Sequence, residues 1–252
     1  MISISIIGTG NVAQHLIKVI SKAENISLHQ IYGRNSSNFP KLNSYAECIS
    51  EFTKLKPVDL LIIAISDDAI STVSNNIANF SGIVVHTSGS TSMNVLDIHK
   101  QYGVFYPLQT FTEGRDLSFI EIPICLEASS KKVMQILNTV ALALTHNIVE
   151  LNSEKRSALH LAAVFANNFS NHILMQTDLI CKNNEVSFNL LKPLMKETIE
   201  KAFALGPLNA QTGPAKRNDT KTIDYQIKKL KTENQKEIYK ILTKSILHTY
   251  GK

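Results

Sequence analysis

Up to about residue 151, short apolar runs alternate with segments of helical period; beyond it only helical period remains. ISISII (2–7) reads as a strand, and NVAQHLIKVISKA (11–23) as a helix with Val12, Leu16, Ile17 and Ile20 on one side. ISLHQIY (26–32) is strand-like, GRNSSNFP (33–40) is a loop of turn formers, and residues 44–54 carry a weak helical pattern. DLLIIAIS (59–66) is apolar almost throughout, as a strand covered on both faces of a parallel sheet must be. A helix over 67–80, strands at 82–88, 103–106 and 122–127, a helix over 129–144 and a strand at 146–151 follow. This alternation predicts crossover units, hence an α/β fold with a doubly wound, mostly parallel sheet.

From 153 to 184 neither Pro nor Gly occurs, which predicts one long helix with Ser153 as its N-cap. A second helix is expected over 188–205, with Pro193 at its first turn or at a kink. A loop (206–219) and closing helices at 222–230 and 233–250 complete the chain. The change of period predicts two tightly packed domains, 1–151 and an all-α 152–252, which the length of 252 residues accommodates.

Composition narrows the class. The longest apolar run is strand-sized, far short of the ~20 residues of a membrane span. With no basic leader and three widely spaced cysteines (Cys48, Cys125, Cys181), a cytoplasmic protein with reduced thiols and no metal is expected. The net charge of +5 is uneven, −2 over 1–150 and +7 over 151–252. The lysines of the closing helices alternate with Glu233 and Glu237 and lack aromatic companions. They read as a solvated face rather than a nucleic-acid surface.

The chemistry starts at Gly8-Thr9-Gly10-Asn11-Val12-Ala13, which fits G-x-G-x-x-G/A between a strand and a helix. The first glycine permits the turn, the second lets backbone approach a pyrophosphate, and the third position needs only a small side chain. The helix start presents unpaired N–H groups to the phosphates. A site for NAD usually ends its second strand in a carboxylate that binds the ribose. Here that strand ends in Arg34, Asn35, Ser36 and Ser37, which suits the 2′-phosphate of NADP.

Further strand ends supply the rest. Ile65 and Ser66 are expected to line the cofactor site, with Asp67 or Asp68 capping the next helix. Ser88 is expected near the nicotinamide. His86 has two readings, a substrate contact or a buried, satisfied strand histidine. Tyr106 and Gln109 fall in a stretch that suits a cleft wall. On the long helix, ~100° per residue puts His160, Val164, Asn167, Asn171 and Asp178 on one stripe, with Asn168 at its edge. His160 is the candidate acid/base, Asn167 or Asn168 the anchor of a substrate oxygen, and Asn171 a further substrate contact. Lys155 is a weaker proton-donor candidate, and Tyr106 is another. In TGPAKRND (212–219), Arg217 either binds an acidic substrate or pairs with Asp219.

Taken together, GTGNVAQHL, IYGRNSS, LLIIAISDDAI, VVHTSGS, GVFYPLQTF, SALHLAAVFANNF and TGPAKRND make the chain resemble a bacterial family assigned as NADP oxidoreductases. The likeness runs over nearly the whole chain. That family has a Rossmann-like N-terminal domain and a helical C-terminal domain of unknown function. It is similar in fold to pyrroline-5-carboxylate reductase, ketopantoate reductase, deazaflavin-dependent NADP reductases and 6-phosphogluconate dehydrogenase. The resemblance implies an NADP(H)-dependent hydride transfer to a small carbonyl or imine substrate and a homodimer built through the helical domain. Several related enzymes carry a lysine–asparagine pair one turn apart on the long helix, and this chain departs from that pattern. An NADP-binding sensor or interaction protein without turnover is therefore the alternative.

Overall fold

Leu60–Ile63 is buried on both faces, and the fold is organised around it. The computed structural model describes residues 1–251. Eight strands form one sheet in the order β3-β2-β1-β4-β5-β6-β7-β8. They are β1 (Ile2–Ile7), β2 (Ile26–Tyr32), β3 (Glu47–Ile49), β4 (Leu60–Ile63), β5 (Ile83–His86), β6 (Tyr102–Pro107), β7 (Ile124–Ala128) and β8 (Ile148–Glu150). Every neighbouring pair is parallel except β6–β7. Strand order reverses between β1 and β4, so the carboxyl ends of those two strands open a crevice where ligands bind in such sheets.

Period-2 alternation distributes the strand side chains. Ile4, Ile6, Leu60, Ile62, Ile83 and Val85 pack with Ala13, Leu16, Ile17 and Ile20 of α1 (Asn11–Ile20). Val133, Leu137 and Val140 of a later helix, Lys131–Leu142, join the same layer. Ile7, Leu61, Ile63 and Val84 face the other way, onto Ile70 and Ile77. Between them, α2 (Phe39–Leu42) follows a 3-10 turn, and α3 (Ile70–Asn76) follows another at Asp67–Ala69; the helix at Lys131–Leu142 is α4.

The pattern misleads in three places. Residues 44–54 hold the edge strand β3 and a 3-10 turn (Phe52–Lys54), not a helix. Pairing with β2 decides this, supported by Gln30 Nε2 donating to Glu47 Oε2 at 3.0 Å. The long helix is interrupted: α5 (Ser153–Ala163) passes through a π turn (Val164–Phe169) into α6 (Ser170–Asn183). Its N-cap is Asn152, whose Oδ1 accepts from Lys155 N at 2.9 Å, while Ser153 is the first helical residue.

The chain divides into two compact units, Met1–Asn167 and the residues from Asn168 onward. The change of period at 151–152 thus precedes the division, because the first turns of α5 are tied to the sheet. The second unit contains α6, α7 (Lys192–Leu205), α8 (Pro207–Ala210), α9 (Thr220–Lys229) and α10 (Glu233–Tyr250). Pro193 lies in the first turn of α7. Few of this unit's apolar side chains are buried, whereas Leu190, Leu194, Ile199 and Phe203 are exposed, Phe203 to 85 %. Among the described residues, no helix is long and apolar enough to cross a membrane, and no cluster of His, Cys, Asp and Glu could hold a metal ion.

Candidate functional site

The crevice at the strand-order reversal is a cavity of about 800 Å³. It is lined by Gly8, Thr9, Gly10, Asn11 and Val12 from the first turn, by Arg34 and Asn35 after β2, and by Ile65 and Ser66 after β4. All nine were singled out from the sequence. Gly8 has φ +131°, and a Cβ there would stand 2.1 Å from the Ala64 carbonyl oxygen, so only glycine fits. Gly10 is different: a Cβ would meet no protein atom within 4 Å. Its side is bare toward the cavity, as close approach of a phosphate requires. Behind it, the Thr9 carbonyl accepts from Gln14 Nε2 (2.9 Å) and Asn38 Nδ2 (3.3 Å), which fixes the loop. Gly10 caps α1 with extended backbone and no side-chain acceptor, so the first N–H groups of the helix lack intrahelical partners. This cradle fits a diphosphate.

Arg34 and Asn35 are exposed at the rim, and no carboxylate ends β2. Asn35 Oδ1 accepts from Ser37 N at 2.9 Å and shapes the turn in which exposed Ser36 stands. Ala13 is buried under the loop against the sheet. Sequence reading missed Phe52, which stacks on Tyr32 at 4.1 Å between centroids, and Thr72, Val73 and Asn76. These come from a 3-10 turn and from α3, whose side chains gain meaning only when the crossover brings them to the cavity.

A second constellation lies beyond the ends of β5 and β6. The Tyr106 hydroxyl is 3.0 Å from His160 Nδ1, with the rings edge-on at 5.9 Å. Burial pushes the Tyr106 phenol up to about 12, so it stays protonated at neutral pH. A hydroxyl can donate to Nδ1 of a neutral ring or accept from Nδ1–H of a protonated one, so the contact suits both states. Gly89 sits against the pair, and next to it Ser90 Oγ donates to Asp67 Oδ2 at 2.5 Å. Asp67 lies between the cavity-lining Ser66 and Asp68, so this hydrogen bond links the turn beside the pair to the edge of the cavity. Neither Asp67 nor Asp68 caps the helix by its side chain.

The Ser88–Thr91 turn is internally satisfied. Ser88 Oγ accepts from Ser90 N (3.2 Å) and Thr91 N (2.9 Å) and donates to Thr91 Oγ1 at 2.9 Å. His86 is fully buried: Nδ1 accepts from Ser88 N at 3.2 Å and Nε2 faces the Ser92 carbonyl at 3.4 Å. Desolvation, then the nearby Arg156 charge, holds its pKa down at about 4. His86 is thus a neutral brace with no atom at the surface.

The remaining candidates are dispersed. Gln109 is exposed, its Oε1 accepting from Thr110 N. Lys155 is exposed in the first turn of α5, and Asn167 is exposed in the π turn. Asn167 stands in the π turn, which takes up one residue more than an α turn, whereas the expected stripe through His160, Asn167 and Asn171 assumes α geometry throughout. In the second unit Asn168, Asn171 and Arg217 are exposed. Asp219 caps α9, Oδ1 accepting from Thr222 N at 3.1 Å and Oδ2 from Thr222 Oγ1 at 2.7 Å.

Sequence reading also missed Arg156, only 1 % exposed and ion-paired with Glu127. A charged residue in a first helical turn reads as solvated until its partner, on β7, is known.

The profile of a family described as Domain of unknown function (DUF2520) matches residues 122–246. No curated protein matches the chain. Among solved structures, a Bacteroides fragilis protein named provisionally as an NADP oxidoreductase is 34 % identical, over 98 % of this chain and 98 % of that one, with a TM-score of 0.91. Thermotoga maritima protein TM1727 is 20 % identical over 99 % and 100 % of the two chains, with a TM-score of 0.79. An imine reductase of Myxococcus stipitatus, solved in complex with NADP+, is 12 % identical over 98 % and 92 %, with a TM-score of 0.68. The last two share the fold.

Proposed function

We propose, from the premise that this chain belongs to the Rossmann-like family assigned as NADP oxidoreductases, that it is an NADPH-dependent reductase of a small carbonyl or imine compound. One observation supports the reading: the glycine turn that lines the cavity and the Tyr106–His160 pair belong to one unit, and the Ser90–Asp67 hydrogen bond links the turn beside the pair to the cavity's edge. NADP(H), when bound, supplies or accepts the hydride. The N–H groups from Thr9 to Val12 grip the diphosphate, and Arg34 with Asn35 and Ser36 receives the 2′-phosphate. Ile65 and Ser66 line the cofactor's path, and Tyr32–Phe52 walls it.

His160 is the proton donor. Tyr106, whose phenol burial pushes up to about 12, orients the ring through Nδ1 and leaves Nε2 for the substrate heteroatom. Asn167 or Asn168 is the candidate anchor for that atom, and Gln109, Asn171 and Arg217 are candidate substrate contacts.

The helical unit's exposed Leu190, Leu194, Ile199 and Phe203 suit a second copy as cover, so the same proposal includes a homodimer. Sedimentation velocity checks it; a monomer at micromolar concentration would exclude it.

The function is tested by titrating the purified protein with NADPH and then mixing the complex with a panel of small carbonyls and imines. Tight NADPH binding with single-turnover oxidation is expected. No binding at millimolar cofactor would refute the reading, and binding without turnover across the panel would favour a sensor.

A further inference from the structure

Arg156 makes contacts that no property of an isolated helix explains. Its Nη1 is paired with Glu127 on β7, and its Nη2 donates to the Thr91 carbonyl in the turn after β5. Nη2 also meets Ser153 Oγ at 3.3 Å, while Nε is buried with no partner. Ser153 completes the knot: its N–H and Oγ both donate to Glu127 at 2.8 Å, and its Oγ accepts from Met93 N at 3.0 Å.

The sheet order around this knot is β5-β6-β7. The guanidinium thus holds elements on both sides of β6, the strand that carries Tyr106. His160 lies four residues after Arg156, one helical turn on and on the same face of α5. Thr91 belongs to the turn that begins at Ser88 and includes Gly89, the residue packed against both rings. The turn after β5, strand β7 and helix α5, which flank β6 and the Tyr106–His160 contact, are tied together by one side chain. A planar fork with several fixed donors can do this, whereas an ammonium cannot reach both acceptors.

We propose that Arg156, with Glu127, is the positioning residue of the Tyr106–His160 pair. This rests on reading that pair as the proton-donating group, and neither Arg156 nor Glu127 lines the cavity. It sets where the imidazole stands.

The test uses the full chain with ¹⁵N-labelled histidine, the His160 ring signals being assigned by their loss in His160→Gln. Two variants are compared with the wild type. Arg156→Met/Glu127→Gln removes both charges together, so neither is left buried alone; Arg156→Lys keeps the charge but not the bridge. The double variant is expected to fold and to bind NADPH within twofold of the wild type. It is also expected to lose the hydrogen-bonded signature of Nδ1, with Arg156→Lys losing it in part. An unchanged His160 spectrum in either folded variant overturns the proposal. So does failure of both variants to fold, since Arg156 would then serve the fold and not the pair. Failure of the wild type to bind NADPH refutes the reductase reading by itself and leaves the spectral comparison standing.

Discussion

Gly89 lies flat against the imidazole of His160: a Cβ on Gly89 would stand 2.6 Å from Nδ1, and 2.7 Å from Cζ of Tyr106. The gap is filled by the pair itself, so any side chain at this position must displace one ring. Gly89→Ala should cost about 1–3 kcal/mol of stability through overpacking. NADPH affinity should stay near the wild-type value, while turnover of any substrate found should fall at least about tenfold, some 1.4 kcal/mol in the barrier. Parallel fluorescence titration and single-turnover measurements check this, and a variant with full turnover would remove the pair from the chemistry.

The two glycines of the first turn should fail in opposite ways. Gly8→Ala meets the Ala64 carbonyl and a φ of +131°, so roughly 3 kcal/mol or more of stability should be lost. Gly10→Ala meets no protein atom, and its φ of −76° suits any residue, so stability should change by less than about 1 kcal/mol. NADPH binding should nevertheless weaken at least about tenfold, because the methyl group stands where the diphosphate approaches. Urea melts with cofactor titrations separate the two effects; normal binding by Gly10→Ala would show that no ligand comes close there.

Arg34→Asp should discriminate between cofactors. Losing a charge-assisted contact to the 2′-phosphate costs about 1.5–3 kcal/mol, a factor of roughly 10 to 100 for NADPH. NADH has no such phosphate and should lose little. Equal losses for the two would mean that Arg34 does not read the phosphate.

Stability should fall in mild acid. His86 in the folded chain titrates at about 4 instead of 6.5, chiefly because it is buried. Between those values the unfolded chain binds more protons. The contribution is therefore fully present above 6.5 and is lost as pH falls toward 4, on the order of 3 kcal/mol. His99, also held down by burial, acts in the same direction. Denaturant midpoints at pH 7.5, 5.5 and 4.5 should decline, and His86→Asn should decline less. A variant slope equal to the wild type's would assign the loss to other groups.

Much of this was legible in the chain because the signals are local. The strand–turn–helix from Ile2 to Ile20 needs only apolar period and two glycines, and the missing carboxylate after Tyr32 is visible by inspection. Where contacts at long range decide, sequence fails. Glu47–Ile49 becomes a strand through pairing with β2. Arg156 loses its water because Glu127 waits 29 positions earlier. The pairing of Tyr106 with His160 spans 54 positions, so each was found as a candidate but not as one unit. The π turn left no trace, since i→i+5 bonding between Val164 and Phe169 changes no residue type.

That turn makes the helix adjustable. Because the wide turn absorbs one surplus residue, deleting one within Val164–Phe169 would let an ordinary i→i+4 ladder run on unbroken, with little change in how the residues after it face round the axis. A single lost codon would thus tighten the backbone there while leaving the outlook of Asn171 and its neighbours much as it is.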